Sequence, residues 1–459
     1  MAEKKKLTLQ QKLDKKRYKI PSRVINKLYH VIGQRFLARP YNAHYKIIDD
    51  INDCKGPCFL IYNHLSRRDH LFFSQAAYPR RINILAGYNE FFRKSFHTVF
   101  NLMNVIPKKN FCNDLPSMKA ISSIIKKGGC VCFSPEGMSS IYGHNQPIVA
   151  GTGHFFKHFK VPVYMLKIRG SYLTSNKVCI DDRHGKVEAE LFKLFSPEDF
   201  LVMTDEEVGD KINEVMRHDD YEWNKTARIK YDSHGKICTR LNDICYKCPK
   251  CGAELKMTAH DDRIECEVCG NGARMNDFYD FLPYNETCII PVSPSKWVDW
   301  ERIQVINEIR ENPDLSFSAN VKVGYLPPYR LVKKTTTSEP CGEGKITVDK
   351  NGIHFVGTKL GKEWSFDLSY KTVYSLVIVN DLTYFSLYIN GEYHDFTPDT
   401  PCVGKILLLV EEFHRYTYNV WKNFKWDEFM YDKAKSQSFL SDNLAPYILP
   451  QEATKKDKS

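Results

Sequence analysis

Residues 58–69 read CFLIYNHLSRRD and residues 130–137 read CVCFSPEG. In both stretches a short apolar run breaks off at residues that carry chemistry. Apolar runs at 58–62, 82–85, 130–133 and 163–168 predict buried strands. Helical spacing between them predicts helices, for example over 89–103 and 115–127, the second stopped by Gly128-Gly129. Strands alternating with helices from about residue 45 to 170 predict an α/β domain around a mainly parallel sheet.

The first run ends at Asn63-His64, and Asp69 follows. A His at a strand end can meet an Asp on the first turn of the next helix. The carboxylate then fixes the tautomer and leaves the other ring nitrogen to take a proton, as a general base must. The pattern is weak by itself: with 15 His in the chain, about one such spacing arises by chance. The bland alternative is a helix-capping Asp69 beside an incidental His64. The run 130–133 ends at Ser134-Pro135-Glu136-Gly137. The gap from Asp69 to this motif, about 65 residues, holds two βα units. Both motifs then fall at carboxyl ends of strands in one sheet, where open α/β sheets place their ligands.

Asn63-His64, Asp69 after a four-residue gap, Pro135-Glu136-Gly137 and Val161-Pro162-Val163 stand in the order and spacing of the glycerolipid acyltransferases. Residues 40–200 resemble that family, most closely its lysophosphatidic acid acyltransferase branch. The resemblance implies acyl transfer from an acyl-carrier-protein (acyl-ACP) or coenzyme A (acyl-CoA) thioester to the hydroxyl of a lysophospholipid, first of all lysophosphatidic acid, in phospholipid biosynthesis. It implies His64 as general base and Asp69 as its orienter. Glu136 and Gly137 would bind the glycerol phosphate, Asn63 would sit beside the base, and Pro162 would shape the strand closing the acyl site. A thioester is already activated, so this chemistry calls for a base, a docked acceptor and an oxyanion donor, with no catalytic metal. Two departures bear on the acceptor. The family commonly follows Glu-Gly with Thr and Arg, where this chain has Met138 and Ser139. A second family arginine is matched by Lys108, which keeps the charge and loses the bidentate fork. Lys109, Arg67, Arg68, Arg80, Arg81 and Arg169 are further cations that could compensate. An amine or another lipid alcohol therefore stays open as acceptor.

Cys248-Pro-Lys-Cys251-Gly and Cys266-Glu-Val-Cys269-Gly are two CxxC knuckles. Four thiolates at this spacing predict a closed, structural zinc site resembling a zinc ribbon, with Cys245 as a spare ligand. Cys112, Cys130 and Cys132 read as small buried residues. The lysines near the knuckles are offset by acidic residues and no basic stripe with interleaved aromatics appears, so nucleic acid is not an expected partner. A non-enzymatic zinc-ribbon binding protein is the alternative to an enzyme.

Working outward, residues 1–23 carry nine Lys/Arg against Glu3 and Asp14 and read as a basic arm. Val24, Ile25, Leu28, Val31, Ile32 and Phe36 follow at helical spacing, with Ser22 as N-cap. That spacing does not say whether the apolar face meets the protein or a membrane. Residues 295–311 predict an amphipathic helix. From about 344 alternating residues and the turns Asn351-Gly352 and Asn390-Gly391 predict antiparallel strands, closed by a helix from Val403 to Tyr416. The C-terminal part resembles a pleckstrin-homology-like fold. The expected domains are an acyltransferase-like α/β domain with its basic arm and helix (1–240), a zinc ribbon (241–285), a helical connector (286–335), the β domain (336–430) and a tail (431–459).

The whole chain has 459 residues, 66 Lys/Arg against 55 Asp/Glu and a net charge of +11. With 42% hydrophobic residues it is an ordinary globular composition, not a disordered or fibrous one. The 15 cysteines, odd in number and partly in CxxC pairs, fit a reducing compartment. No apolar run approaches transmembrane length and no secretory signal is evident. The expectation is a cytoplasmic protein peripherally bound to the membrane face.

Overall fold

The computed structural model describes residues 7–333, 337–422 and 424–448. Its first sheet has seven strands: β1 (Ala43–Ile47), β2 (Cys58–Tyr62), β3 (Ile82–Gly87), β4 (Ile106–Lys108), β5 (Cys130–Phe133), β6 (Val163–Arg169) and β7 (Val187–Phe195). Their spatial order is β1-β7-β6-β2-β5-β3-β4. All neighbours run parallel except β6 and β7. The central strand β2 is buried on both faces, which is why its sequence is a continuous apolar run. β1 and β7 escape sequence reading. VEAELFKLF in β7 alternates buried with half-exposed residues, the period of a strand with one face partly wet. The order places β5 beside β2, with Ile61 opposite Phe133. The two motifs therefore leave the sheet at adjacent strand ends.

From Leu7 onward the basic arm is folded rather than free. Leu9–Lys15 is a helix with a capping box between Thr8 and Gln11, and it buries Leu13. Residues 1–6 of the arm lie outside the described residues. Ser22 caps the helix Arg23–Ile32 as expected, its hydroxyl accepting from the Ile25 amide at 3.1 Å.

A second, antiparallel sheet carries the cysteine pairs: β8 (Met257–His260), β9 (Arg263–Cys266), β10 (Gly272–Met275) and β11 (Phe281–Pro283), in order β11-β10-β9-β8. It is tied to the helix Pro294–Glu311. The Trp297 indole donates to the Lys247 carbonyl at 2.9 Å, and Glu301 accepts from the Lys247 amide at 2.8 Å.

The third sheet comprises β12 (Ser316–Tyr325), β13 (Glu339–Asp349), β14 (Gly352–Lys359), β15 (Lys362–Leu368), β16 (Val377–Ile378), β17 (Phe385–Ile389) and β18 (Glu392–Pro398). Its order is β15-β14-β13-β12-β18-β17-β16, antiparallel throughout. Asn390 and Gly391 both have positive φ, 51° and 79°, as a two-residue primed hairpin turn requires. The helix Val403–Thr417 closes the sheet. Two expectations are corrected here. β12 lies within the stretch read as a helical connector, because Phe317, Ala319, Val321 and Val323 alternate at strand period. The stretch read as a tail holds the helix Lys433–Asp442, which buries Phe439. The residues after Pro450 lie outside the described residues.

The helix Pro294–Glu311 and the closing helix are joined through buried charge. Arg302 donates to Glu411 at 2.7 Å and to Glu412 at 2.5 Å. Removing one partner alone would strand the other in low dielectric.

Candidate active site

The β2 strand ends at Tyr62, and the chain turns through residues 63–68 into the helix Asp69–Ala76. The Asp69 carboxylate, 1% exposed, organises that turn. Its Oδ2 accepts from His64 Nδ1 at 2.8 Å, from the Leu65 amide at 2.8 Å and from the Ser66 amide at 2.9 Å. Its Oδ1 accepts from Ser66 Oγ at 3.0 Å and from Ser171 Oγ. The carboxylate thus binds the loop before the helix, not the helix's own free amides, so simple capping does not describe it. Two backbone donors and two hydroxyls hold Asp69 in place. His64 Nδ1 is then presented with a fixed acceptor, and its Nε2 has no partner among the described residues. His64 lines a cavity of about 2110 Å³.

Glu136 is placed differently from its expected role. It is 1% exposed, and both carboxylate oxygens are used inside the protein. Oε2 accepts from the His64 amide at 2.7 Å and from Ser134 Oγ at 3.2 Å, and Oε1 accepts from the Gln146 amide at 2.8 Å. Burial pushes its carboxyl up to about 7 against these three donors, which favour the charged form. Glu136 therefore holds the His64 loop against the β5 loop. The His64 carbonyl adds a second link, accepting from the Ser140 amide at 2.7 Å.

Asn63 is also structural. Fully buried, it donates to the Ile168 carbonyl at 2.8 Å and accepts from the Ile168 amide at 2.7 Å. Its side chain extends the β2–β6 ladder by one rung just where the backbone leaves it. Gly137 lines the cavity with φ of +80°. A Cβ there would sit 3.0 Å from Val149 and 3.1 Å from Phe111 in a backbone region costly for other residues. Lys108 lines the cavity too, its Nζ donating to the Lys109 carbonyl at 2.6 Å and standing 3.9 Å from Asp114.

The arginines offered as substitutes for the missing family arginines all have partners within the protein, and two of them, Arg67 and Arg68, line the cavity. Arg67 and Arg68 both pair with Asp182, at 3.0 and 2.6 Å. Arg80 donates to the Cys54 and Gly56 carbonyls, Arg81 to the Pro21 carbonyl, and Arg169 faces Glu190. Lys109 donates to the Gly391 carbonyl of the third sheet at 3.0 Å. Met138 and Ser139 line the cavity and bring no charge to it.

Sequence reading quoted Ser134 within its motif without giving it a role and missed Ser66, Gln146 and Ser171. Each of these three is an ordinary polar residue in a loop or a short helix, and nothing in its spacing marks it. Ser171 is the most informative. It follows β6, yet its hydroxyl reaches both Asp69 and Ser66 Oγ, the latter at 2.7 Å.

The cavity lining includes exposed apolar side chains. Leu37, Phe96 and Val99 are among them. Outside the cavity lining, the helix Arg23–Ile32 exposes Val24, Leu28, Val31 and Ile32, and Phe36 follows at 68% exposure. The apolar face predicted there is therefore turned to solvent to a large extent, while Tyr29 and Ile25 pack inward. Among the described residues no helix is long and apolar enough to cross a membrane.

In the second sheet, the sulfurs of Cys248, Cys251, Cys266 and Cys269 all lie within 4.8 Å of one another. Cys248 and Cys269 Sγ are 3.7 Å apart, as are Cys251 and Cys266 Sγ. Four sulfurs about 2.3 Å from a tetrahedral ion are about 3.8 Å apart, so the set fits a four-thiolate metal site. Gly252 and Gly270, with φ of +74° and +67°, make the tight turns after each pair. Cys245 is buried outside this group.

Residues 31–169 match the family model described as Acyltransferase. The matched stretch holds His64, Asp69 and Glu136 and is somewhat under a third of the chain. Among solved structures, the chain is similar to the 1-acyl-sn-glycerophosphate (LPA) acyltransferase PlsC from Thermotoga maritima, at 17% identity over 44% of this chain and 79% of that one, with a TM-score of 0.35. No curated protein matches the chain.

Proposed function

We propose that this chain is a peripheral membrane O-acyltransferase that moves a fatty acyl group from an acyl-ACP or acyl-CoA thioester to the free hydroxyl of a lysophospholipid, with lysophosphatidic acid the first candidate. The observation that carries this reading is the His64–Asp69 pair inside the acyltransferase-matched stretch, with His64 lining a large, mostly apolar cavity. His64 Nε2 takes the proton of the acceptor hydroxyl as its oxygen attacks the thioester carbonyl. Asp69 stabilises the imidazolium that forms. The C–S bond then breaks, and the imidazolium returns the proton to the departing thiolate. Ser171, Ser66 and Glu136 act as positioning residues that hold this pair. The exposed apolar helix and the exposed apolar side chains of the cavity lining suit an enzyme that takes its lipid from a bilayer surface at the cytoplasmic face. The four cysteines would hold zinc as a closed structural site with no open position for substrate.

A second reading, an amine or other lipid alcohol as acceptor, is favoured by Met138 and Ser139, which bring no charge to the cavity. Purified protein, labelled acyl-ACP and acyl-CoA, and a panel of lysolipids, amines and lipid alcohols decide between them. Formation of phosphatidic acid from lysophosphatidic acid supports the first reading. Turnover of phosphate-free acceptors alone supports the second, and no transfer to any acceptor from either donor rejects both.

A further inference from the structure

Arg67, Arg68, Arg93 and Lys108 line the cavity and each stands within ion-pair distance of a carboxylate, so the question is which buried cation without one the cavity offers an anionic ligand. Lys177 lies on the segment after β6 and is 7% exposed. It lines the same cavity as His64 and Lys108. Its segment is bolted to the catalytic turn. The Arg67 amide donates to the Ser175 carbonyl at 3.0 Å, and Arg67 Nε donates to the Asn176 carbonyl at 3.0 Å. On its other side it meets the third sheet. Lys177 Nζ donates to the Ile378 carbonyl of β16 at 2.8 Å, and the Asp381 amide donates to the Lys177 carbonyl at 2.6 Å. Among the described residues no carboxylate lies within ion-pair distance of Lys177. One of its three N–H bonds has a partner and two are available.

We infer that Lys177, held in place by the third sheet, is an anion-binding residue of the catalytic cavity and takes a phosphate monoester group of a substrate. The identity of that anion as a substrate phosphate rests on the acyltransferase reading above. A buried ammonium with one neutral acceptor is poorly compensated, and an anion beside it supplies what is missing. Burial holds the Lys177 ammonium down to about 7, against a favourable influence from Glu90, which is itself paired to Arg93. A bound phosphate would restore the charged form. The arrangement also gives the third sheet a role in the site: besides carrying the Ile378 carbonyl, it contributes Tyr388, and the connections before β16 and β17 contribute Tyr374 and Tyr384, to the cavity wall. The departures at Met138 and Lys108 then mark a relocation of phosphate recognition, not its loss.

Two probes with the shared chemistry distinguish the source of the phosphate: glycerol 3-phosphate for the acceptor and coenzyme A for the donor. Binding of each is measured by calorimetry on the full-length wild type, Lys177→Met and Lys177→Arg. We expect Lys177→Met to bind one probe roughly tenfold or more weakly, as loss of a charge-assisted bond implies, and Lys177→Arg to recover most of it. Selective loss of glycerol 3-phosphate assigns the acceptor, and selective loss of coenzyme A assigns the donor. Unchanged binding of both probes by Lys177→Met, or no binding of either by wild type, overturns the inference. Should Lys177→Met fail to fold, competitive acetylation of Lys177 in the wild type replaces it, read by mass spectrometry with and without each probe. Protection by a probe supports the site, and no protection by either overturns it. Because these readouts need no turnover, binding without acyl transfer would sink the enzymatic reading and leave the anion site standing.

Discussion

Replacing Asp69 with Asn changes one atom and tests how the base is held. Asp69 Oδ2 accepts three N–H bonds, while Oδ1 accepts two hydroxyls. An amide nitrogen at the Oδ2 position would confront three donors. At the Oδ1 position it meets Ser66 and Ser171, whose hydroxyls rotate to accept. The Asn side chain therefore adopts the second orientation and keeps an oxygen on His64 Nδ1, so the tautomer survives. What is lost is the charge. A hydrogen bond to a charged group contributes about 1.5–3 kcal/mol and a neutral one about 1 kcal/mol, a difference of about 0.5–2 kcal/mol when the imidazolium forms. At about 1.4 kcal/mol per tenfold, kcat at saturating acceptor should fall about 2- to 30-fold. The assay is steady-state acyl transfer with labelled donor, alongside a thermal melt to show that the fold persists. A kcat within twofold of wild type would refute the orienting role of Asp69. A loss as large as that of His64→Ala would refute the argument that Ser66 and Ser171 preserve the tautomer.

Three further outcomes follow from the same structure. Glu136 is harder to ionise folded than unfolded, so its contribution to stability falls as pH rises from about 4.5 to about 7; Glu136→Gln should flatten the dependence of urea stability on pH across that window, and an unchanged slope would count against the burial argument. Purified protein should carry about one zinc per chain, and Cys251→Ser should release it and lower the melting temperature; metal-free wild type with an undiminished melting temperature would contradict this. Val24, Leu28 and Phe36 substituted together by Ser should weaken binding to anionic liposomes about tenfold or more while leaving the melting temperature near wild type, since all three are exposed; unchanged binding would remove this face from the membrane contact.

Much of the α/β unit is legible in the sequence because its central strands are covered on both sides. β2 and its neighbours read as unbroken apolar runs that admit few alternatives. β7 and β12 are not legible in the same way, since a half-exposed strand carries charges on one face and resembles a surface segment until its partners are known. The Thr8–Gln11 capping box was there to be read, but a run of lysines around it reads more readily as a solvated arm. At the site, motif spacing brings His64, Asp69 and Glu136 to adjacent strand ends. It does not say which way a carboxylate points. Glu136 turns inward onto three donors, and Asn63 turns sideways onto β6, because the chain leaving a parallel strand has backbone groups that need partners. Ser171 and Lys177 are beyond sequence reading for a different reason: each acts through a contact with a distant element.

The central claim is that His64 is the base of an acyl transfer to a lysophospholipid. Its most direct test is single-turnover transfer from a labelled acyl thioester to lysophosphatidic acid, by wild type and by His64→Ala of equal melting temperature. Wild type should form phosphatidic acid, and the variant should lose about 10²- to 10⁴-fold in rate, the usual contribution of a positioned general base. A variant that transfers the acyl group as fast as wild type would contradict the account at its centre.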